Sequence, residues 1–437
     1  MHDSPLAVVA ELLLLLSIIL VAAKIGGEIS ERFLKIPPVL GELGAGILIS
    51  PFLLGGIHWF GGGAIFEIPH DAAAGLPVEP QLFFVAQLAA VVLLFEAGLE
   101  TDREQFMKYV KPATAVAAGG VILPFVMGFA ATVLLGFASM DSILEMVPAL
   151  FVGAIMTATS VGITARVLAD IRKLDSPEGV TVLAGAVVDD VLGIIILAIV
   201  VGIAEEGTVT AGSIGVIFLK AVGFWLGLMI IGSLVSNYLS KVVLWFKSAG
   251  ASLVLALSLA FIASAVAEIY FGLAMIIGAY TMGLALSSTE LKHQVEGSMR
   301  SVNNFLVPIF FVVIGMQVDF TAFGAGDTSL VAAIIFALVL TVFAVISKLL
   351  GAGIPALFVG FNRIGATRIA LGMLPRGEVA LIIAGIGLAS GVIGQDIFGV
   401  AIVMTVVTTV VAPVFLIPAF KGGSGLKSAD KESKADE

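Results

Sequence analysis

The sequence contains no cysteine, and charged residues make up only 12% of its 437 positions. Without cysteine the chain has no disulfide bond, no thiolate nucleophile and no cysteine-ligated metal. Its four histidines show no metal-ligand spacing, and no basic patch suited to nucleic acid is present. A soluble domain usually has about 25% charged residues. The scarcity of charge therefore leaves water as the solvent for only a small part of the surface.

Long apolar runs are present instead, and hydrophobic residues make up 59% of the chain. A run of about 20 apolar residues crosses a bilayer as a helix, because its backbone groups must be hydrogen-bonded internally. The composition therefore predicts an all-α, polytopic membrane protein. We expect residues 1–420 to form one membrane unit, and the polar residues 421–437 to form a disordered cytoplasmic tail.

The lengths of the apolar runs predict about thirteen transmembrane helices. The predicted spans cover residues 6–23, 39–54, 83–98, 112–135, 147–168, 180–204, 214–234, 251–271, 274–287, 305–317, 330–358, 369–390 and 397–420. The seventh span would be a linker with six spans on either side. Corresponding spans in the two sets are seven positions apart. Because seven is odd, each span would cross the membrane in the direction opposite to its counterpart, and the two sets of six would be inverted repeats.

Lysine and arginine residues are concentrated in alternate connections between the predicted spans. These basic connections cover residues 24–35, 103–111, 166–173, 241–247, 292–300, 363–368 and the tail after 420. Basic residues favour the cytoplasmic side of a membrane. The pattern predicts an external N-terminus and a cytoplasmic C-terminus, an orientation that requires an odd number of spans.

Two adjacent carboxylates, Asp189 and Asp190, lie in the middle of the sixth span with apolar residues on both sides. A charge at the centre of the bilayer costs about 2.5–3.5 kcal/mol on the insertion scale. Successive helix residues point about 100° apart, so one carboxylate can face a cavity while the other faces a neighbouring helix. We expect the pair to be functional, and a packing pair neutralised by a base is the alternative.

Lys348 lies deep in the eleventh span and is the expected partner of the aspartates. A lysine–aspartate pair can exchange a proton, and a cation that binds the carboxylate would displace the lysine. The alternatives are a purely structural salt bridge or a lysine that extends toward the cytoplasm.

Two segments predict interrupted helices, one in each half of the chain. Residues 157–164, Thr-Ala-Thr-Ser-Val-Gly-Ile-Thr, are unusually polar for a span. If unwound, Thr157, Thr159 and Ser160 would offer carbonyl and hydroxyl oxygens to a hard cation; otherwise the hydroxyls would bond to their own helix. Residues 373–378, Met-Leu-Pro-Arg-Gly-Glu, place proline and glycine around a charge. Such paired interruptions are typical of transporters with inverted repeats.

Three further charged residues are candidates for supporting roles. Arg376 and Glu378 lie in the second interrupted segment and can pair with each other or with neighbouring helices, for structure or for transport. Glu96 lies near the inner end of the third span, either at the interface or along an ion path. An enzyme is not expected, because no Ser-His, Cys-His or His-Glu-x-x-His arrangement lies at membrane depth. No cofactor-binding motif is present either.

Six motifs resemble those of the bacterial sodium/proton antiporters of the monovalent cation/proton antiporter superfamily, over residues 6–420. They are Pro-Val-Leu-Gly-Glu-Leu-Gly-Ala-Gly at 38–46, Leu-Phe-Glu-Ala-Gly-Leu-Glu at 94–100, Thr-Ala-Thr-Ser at 157–160, Val-Asp-Asp at 188–190, Ser-Lys-Leu-Leu-Gly at 347–351 and Pro-Arg-Gly-Glu at 375–378. More narrowly, the sequence resembles the electrogenic branch with paired aspartates. The electroneutral branch typically has Asn, and the potassium-efflux branch Gln, where this chain has Asp189.

The resemblance implies a core domain with two crossing broken helices, beside a dimerisation domain. We expect the core at about 83–204 and 305–390, and the dimerisation helices at about 6–54 and 214–287. A homodimer in the bacterial or archaeal cytoplasmic membrane is also implied.

The resemblance further implies that Asp190 binds a cation and a proton in turn, while Asp189 pairs with Lys348. Thr159 and Ser160 would lie at the unwound point of the fifth span, near a transported sodium ion. Glu378 would lie near the lysine, and Arg376 would help to support the second broken helix.

We therefore expect a secondary antiporter that exchanges Na⁺ or Li⁺ for protons by alternating access. Exchange of two protons for one cation would make it electrogenic. Potassium or ammonium exchange on the same fold, sodium-coupled uptake of an organic anion and a passive cation channel are the alternatives.

Overall fold

The computed structural model describes residues 5–34, 36–58, 63–68, 78–206, 211–319 and 329–428. Over these ranges the regular structure is helical, without a β-strand. The α-helices are α1 (Pro5–Ile29), α2 (Pro38–Leu48), α3 (Pro80–Glu100), α4 (Arg103–Leu134), α5 (Ile143–Thr157), α6 (Val161–Asp170), α7 (Pro177–Glu206), α8 (Ala211–Trp245), α9 (Ala251–Phe271), α10 (Met275–Leu286), α11 (Glu290–Met316), α12 (Leu330–Phe358), α13 (Arg363–Gly372), α14 (Glu378–Ala389) and α15 (Gln395–Ala419). A π-helical turn, Ser30–Leu34, extends α1.

Among the described residues, nine helical segments are long and apolar enough to cross a membrane, and α5 and α6 together form one of them. Helix α8 is a tenth candidate that bends by 56°. Shorter apolar helices lie in α2, α10 and α14. The all-helical, multi-span architecture predicted from composition is confirmed, whereas the number thirteen stays a prediction.

Several helices extend beyond the spans predicted for them. Helix α4 begins at Arg103 instead of residue 112, and α11 begins at Glu290 instead of residue 305. The added turns carry many polar and charged residues. Hydropathy detects only the apolar part of a helix, so it omits polar turns that continue the helix beyond that part. The side chain of Asp102 caps α4 by accepting from two backbone N–H groups, which fixes its early start.

Both predicted helix interruptions are present. Helix α5 ends at Thr157 and α6 begins at Val161, while α13 ends at Gly372 and α14 begins at Glu378. Proline and glycine in the second segment, and hydroxyl side chains in the first, disfavour a continuous helix there.

The helices pack as two bundles, each built from both halves of the chain, and α8 links the two halves. In the first bundle, α4 packs along α5, α7 and α12, and α15 packs along α12, α13 and α14. Helix α6 continues the span of α5 and contacts α7 and α15, so it belongs to the first bundle. In the second bundle, α3 packs along α10 and α11, and α2 packs along α1 and α11. The expected core ranges, 83–204 and 305–390, include α3 and α11, which instead pack in the second bundle.

Close glycine contacts explain the position of α3 and α11. A Cβ added to Gly98 of α3 would overlap the α10 backbone beside Gly283. Likewise, a Cβ added to Gly315 of α11 would overlap the α2 backbone beside Gly46. Glycine lets membrane helices approach this closely, so these contacts hold α3 and α11 against the second bundle.

The same contacts recur in the two halves of the chain, α1–α7 and α9–α15. The α1–α2 contact corresponds to α9–α10, and α3–α10 corresponds to α11–α2. Because α4 and α12 are counterparts, the contact between them is its own counterpart. It is formed where Gly119 and Gly351 meet. This recurrence is what two structural repeats would produce, each with seven helices of which two form one interrupted span.

Residues 422–427, here called the C-terminal strap, lie against the ends of α7 and α13. The Arg368 guanidinium donates to the carbonyl oxygens of Gly422 at 2.9 Å and Gly423 at 2.8 Å. It also forms a buried ion pair with Glu178 at 2.6 Å. The expectation of a tail disordered from its first residue therefore does not hold for the strap, because a buried arginine binds its backbone. The end of the tail lies outside the described residues.

Candidate functional site

The two helix breaks cross each other in the first bundle. The Ser160 backbone N–H donates to the Pro375 carbonyl oxygen at 2.8 Å. The Thr164 hydroxyl donates to the Gly372 carbonyl oxygen at 2.6 Å. Unwound backbone at membrane depth is tolerated only where protein or water satisfies its polar groups. Each break therefore supplies hydrogen-bond partners for the other.

Lys348 extends into this crossing from α12 and is fully buried. Its Nζ donates to the Thr159 hydroxyl at 2.7 Å and to the Thr157 carbonyl oxygen at 2.9 Å. It also forms an ion pair with Asp189 Oδ2 at 3.3 Å. An ammonium has three donors, and these three oxygens match that number. The structure thus brings Lys348 and Asp189 together, as the sequence predicts.

Asp190 follows Asp189 on α7 and is 6% exposed. Its charge also interacts with that of Lys348. Because neighbouring helix residues point about 100° apart, the two carboxylates face different surroundings. The crossing therefore holds one carboxylate in an ion pair with the lysine and a second carboxylate beside it.

Arg376 lies in the second break and is fully buried. Its guanidinium donates to the Met156 carbonyl oxygen at 2.8 Å, to Leu374 at 3.3 Å and to Ala344 at 3.4 Å. These carbonyls belong to α5, to the break itself and to α12. Arg376 therefore contacts backbone carbonyls of three different elements. The predicted pairing with Glu378 involves a side chain that lies outside the described residues. The Arg376 carbonyl oxygen accepts a hydrogen bond from the Thr409 hydroxyl of α15.

The hydroxyl side chains of the first break have different surroundings. The Thr157 hydroxyl donates to the Ala154 carbonyl of its own helix at 2.8 Å, so Thr157 contributes its carbonyl to the site. Ser160 is 1% exposed and lies against Gly377. Its hydroxyl has no hydrogen-bond partner among the described residues. Ser160 therefore offers a buried oxygen at the crossing.

Glu96 lies on α3 in the second bundle, outside the crossing. Asn303 of α11 donates a hydrogen bond to its carboxylate. Both residues line a polar cavity of about 610 Å³ between the bundles. The cavity is lined by Glu96, Glu100, Arg166, Ala169, Asp170, Arg172, Leu174, Asp175, Lys292, Glu296, Arg300, Asn303 and Asn304. The lining contains charged groups of both signs, contributed by α3 and α11 on one side and α6 on the other.

Apolar side chains of the second bundle lie close to the start of α6, just after the first break. Gly162 lies two residues beyond Ser160, and a Cβ added to it would lie 3.2 Å from the Phe310 ring and 3.9 Å from the Leu93 side chain. Phe310 belongs to α11 and Leu93 to α3, the helices that also line the polar cavity. The contact between α6 and these two helices therefore lies beside the break.

Comparison with known families agrees with this geometry. Residues 15–422 match the family described as sodium/hydrogen exchanger, transmembrane. The chain belongs to this family. The matched range contains both helix breaks, the aspartate pair and Lys348, so the whole crossing is part of the exchanger unit.

Named relatives resemble the exchanger over nearly its full length. The high-affinity Na⁺/H⁺ antiporter NhaS3 of Synechocystis is 35% identical, over 97% of this chain and 93% of that protein. The Na⁺/H⁺-K⁺ antiporter GerN of Bacillus cereus is 35% identical, over 96% of this chain and 97% of that protein. The solved structure of the sodium proton antiporter MjNhaP1 of Methanocaldococcus jannaschii has a TM-score of 0.64 at 17% identity. The match covers 94% of this chain and 99% of the MjNhaP1 chain, so the two proteins share the fold.

Two polar residues of the exchanger were not predicted from the sequence. Asn303 lies in a polar stretch that precedes the tenth predicted span, and a search for polar residues inside apolar runs does not single it out. Thr409 lies in an otherwise apolar helix with Thr405 and Thr408, and this cluster of three threonines is the signal that could have drawn attention to it.

Proposed function

We propose that the exchanger carries out antiport of Na⁺ against protons by alternating access, with Asp190 binding each ion in turn. The observation that carries the proposal is the fully buried Lys348 in an ion pair with Asp189, one residue from Asp190, at the crossing of two broken helices. Ionisable groups at membrane depth are functional by default, because they are costly there. Interrupted helices supply backbone carbonyls for a transported cation.

A sodium ion at Asp190 would find further oxygen ligands on the first break. The buried Ser160 hydroxyl has no hydrogen-bond partner among the described residues, so its lone pairs are available to a cation. The Thr159 hydroxyl accepts a hydrogen bond from Lys348 at 2.7 Å and becomes available once the lysine moves away. We assign Asp190, Thr159 and Ser160 as ligands of the transported ion.

Protons and sodium compete for the same site in this mechanism. From outside, protons load Asp190 and one further group, either Asp189 or Lys348. From the cytoplasm, a sodium ion displaces these protons. An empty site would carry an uncompensated buried charge, which is unfavourable in low-dielectric surroundings. This penalty favours exchange over leak.

The paired aspartates support assignment to the electrogenic branch of the superfamily. If two protons exchange for one cation, one net charge crosses per cycle. The membrane potential then contributes about 2.3 kcal/mol per 100 mV. A pH gradient and a potential would both drive such an exchanger.

We also propose an external N-terminus and a cytoplasmic C-terminus in a bacterial cytoplasmic membrane. Basic residues favour the cytoplasmic side, and the four basic residues that line the polar cavity all lie in basic connections. The cavity would therefore open to the cytoplasm. We assign the second bundle to the contact between two copies in a homodimer.

Potassium exchange is the second candidate, because the name of the GerN relative includes K⁺. A passive cation channel is disfavoured by Lys348, since a lysine in an ion pair with the acidic group would repel a permeating cation. Ammonium exchange shares the potassium mechanism and is tested with it.

The measurement that separates these functions is cation-dependent dequenching of a pH dye in proteoliposomes. Na⁺, Li⁺, K⁺ and NH₄⁺ are compared, each with and without an imposed membrane potential. We expect Na⁺ and Li⁺ to drive proton movement at rates that change with the potential. A larger response to K⁺ or NH₄⁺ would favour the second candidate, and cation current without proton movement would show a channel.

A further inference from the structure

A second cavity with basic residues lies where α12 ends and α13 begins. Its volume is about 680 Å³. It is lined by Leu357, Phe358, Asn362, Arg363, Ile364 and Lys427. Two of these residues are basic and none is acidic, so the cavity suits an anion. The helix breaks and the polar cavity between the bundles involve none of these six residues.

The two basic side chains have donors available. Arg363 is exposed, and its side chain makes no hydrogen bond or ion pair with the described residues. Lys427, from the C-terminal strap, is also exposed and donates one hydrogen bond, to the Leu357 carbonyl oxygen. An ammonium has three donors, so two remain for a ligand. A guanidinium and an ammonium together match the oxygens of a phosphate group.

An apolar stripe on α12 leads directly to this cavity. Ile346, Leu350, Ile354 and Phe358 are 39%, 45%, 47% and 82% exposed, and they follow one another at four-residue spacing. This spacing puts all four on one face of the helix. The stripe is about 18 Å long at 1.5 Å per residue. That length is close to one leaflet of a hydrocarbon core about 30 Å thick.

We propose that this cavity binds the headgroup of an anionic phospholipid between Arg363 and Lys427, with an acyl chain along the stripe on α12. A free anion would contact only the two basic side chains, whereas a lipid would also contact the outward-facing apolar stripe. The combination therefore favours a lipid. Both cations lie in connections predicted to be cytoplasmic, where basic pockets bind lipid headgroups. The site goes beyond the proposed antiport and does not depend on it.

A bound lipid would also connect elements that lead to the ion site. Arg363 begins α13, which ends at the second helix break, and Lys427 belongs to the strap bound by Arg368. The lipid would therefore hold the strap against the first bundle. Its binding is expected to stabilise that bundle against heat.

Native mass spectrometry of the purified full chain tests this proposal. Phosphatidylglycerol and phosphatidylcholine with the same acyl chains are titrated, and inorganic phosphate is titrated separately. The variant Arg363→Gln/Lys427→Gln removes both charges, while glutamine keeps an amide donor for the Leu357 carbonyl. The control Lys241→Gln/Lys247→Gln removes two exposed basic residues from another basic connection.

We expect phosphatidylglycerol to bind at least about tenfold more tightly than phosphatidylcholine to the wild type and to the control. We expect this preference to be lost in Arg363→Gln/Lys427→Gln and retained in the charge-preserving Arg363→Lys/Lys427→Arg. A wild type without the preference would overturn the proposal. So would equal losses in both glutamine variants, or a retained preference in Arg363→Gln/Lys427→Gln. Binding of inorganic phosphate as tight as that of phosphatidylglycerol would show a free-anion site instead and would also overturn the proposal.

Discussion

Lys348 is fully buried, and a buried ammonium needs partners that offset its loss of contact with water. Three oxygen atoms from three residues surround its Nζ, and one of them belongs to a carboxylate. Removal of one partner from a buried ion pair leaves an uncompensated charge and typically costs about 3–5 kcal/mol. The lysine therefore contributes to the structure of the crossing as well as to its charge, and the two contributions need separate measurements.

The change Lys348→Gln tests both contributions. We expect a lower melting temperature, because Asp189 loses its counter-ion, and we expect exchange whose rate no longer responds to an imposed potential. The melting temperature and the potential dependence are measured on the same preparation. Lys220→Gln is the control, because Lys220 is an exposed lysine of α8. An unchanged current and pH profile in Lys348→Gln would refute a role in proton coupling.

The change Ser160→Ala tests the assignment of an ion ligand. The Ser160 hydroxyl has no hydrogen-bond partner among the described residues, so its loss should leave stability nearly unchanged. We expect the KM for Na⁺ to rise by at least about tenfold, since a polar contact to a charge contributes roughly 1.5–3 kcal/mol and about 1.4 kcal/mol corresponds to a factor of ten. Thr157→Val is the matched control, because that hydroxyl bonds to its own helix. Equal KM values for Ser160→Ala and wild type would contradict the assignment.

The charged residues of the site could be predicted because a charge at membrane depth has a high free-energy cost. Asp189, Asp190 and Lys348 were expected to be functional from that cost alone. The partners of Arg376 could not be predicted, because they are backbone carbonyls from distant parts of the chain. Glu96 was predicted without Asn303, since the two residues are 207 positions apart.

At the scale of helices, contacts between glycine and backbone determine how closely the helices pack. Gly46 and Gly44 lie on the same helix, α2, and differ in this respect. A Cβ added to Gly46 would overlap the Val312 backbone of α11, whereas a Cβ added to Gly44 would meet no atom within 4 Å. The two positions form a matched pair for a stability measurement.

We expect Gly46→Ala to lower the stability of the exchanger by about 1–3 kcal/mol, because α2 and α11 must separate to admit the methyl group. Gly44→Ala should have no such effect and serves as the control. Thermal unfolding in detergent measures both variants. Equal melting temperatures for the two would contradict the close contact between α2 and α11.

The helix interruptions were predictable because proline, glycine and hydroxyl residues mark them locally. Helix ends in the aqueous layer were less predictable, as the early start of α11 at Glu290 shows. Its first four turns are polar, and a hydropathy window treats such residues as a connection. Whether they continue a helix depends on packing that the window does not include.

At the scale of the whole molecule, alternating access requires one bundle to move against the other. Gly162 of the first bundle lies beside Leu93 of the second. Because the native sequence contains no cysteine, Leu93→Cys/Gly162→Cys would carry the only two thiols. We expect a short, reducible thiol cross-linker to stop exchange in this variant, and we expect reduction to restore it.

The pair Gly353→Cys/Ala370→Cys is the control for this cross-link. A Cβ on Gly353 would lie 3.4 Å from the Ala370 Cβ, and both residues belong to the first bundle. A cross-link within one bundle should leave exchange intact. Full exchange by the cross-linked Leu93→Cys/Gly162→Cys variant would contradict movement between the bundles.

The grouping of helices into bundles could be predicted only in part. Repeats of six helices followed from the order and number of apolar runs. The position of α3 and α11 did not, because it depends on glycine contacts between helices far apart in the chain. A comparison of the two halves of the sequence could have suggested it, since Gly98 and Gly315 lie at corresponding positions.

The exchange function itself depends on Asp190, and Asp190→Asn keeps its shape while removing its charge and its proton. Sodium-driven proton release from proteoliposomes is measured for this variant, for wild type and for Glu268→Gln, which changes an exposed acid on α9. We expect the rate for Asp190→Asn to fall to that of empty liposomes, while Glu268→Gln retains exchange. Exchange at the wild-type rate by folded Asp190→Asn protein would contradict Asp190 as the shared site for cation and proton.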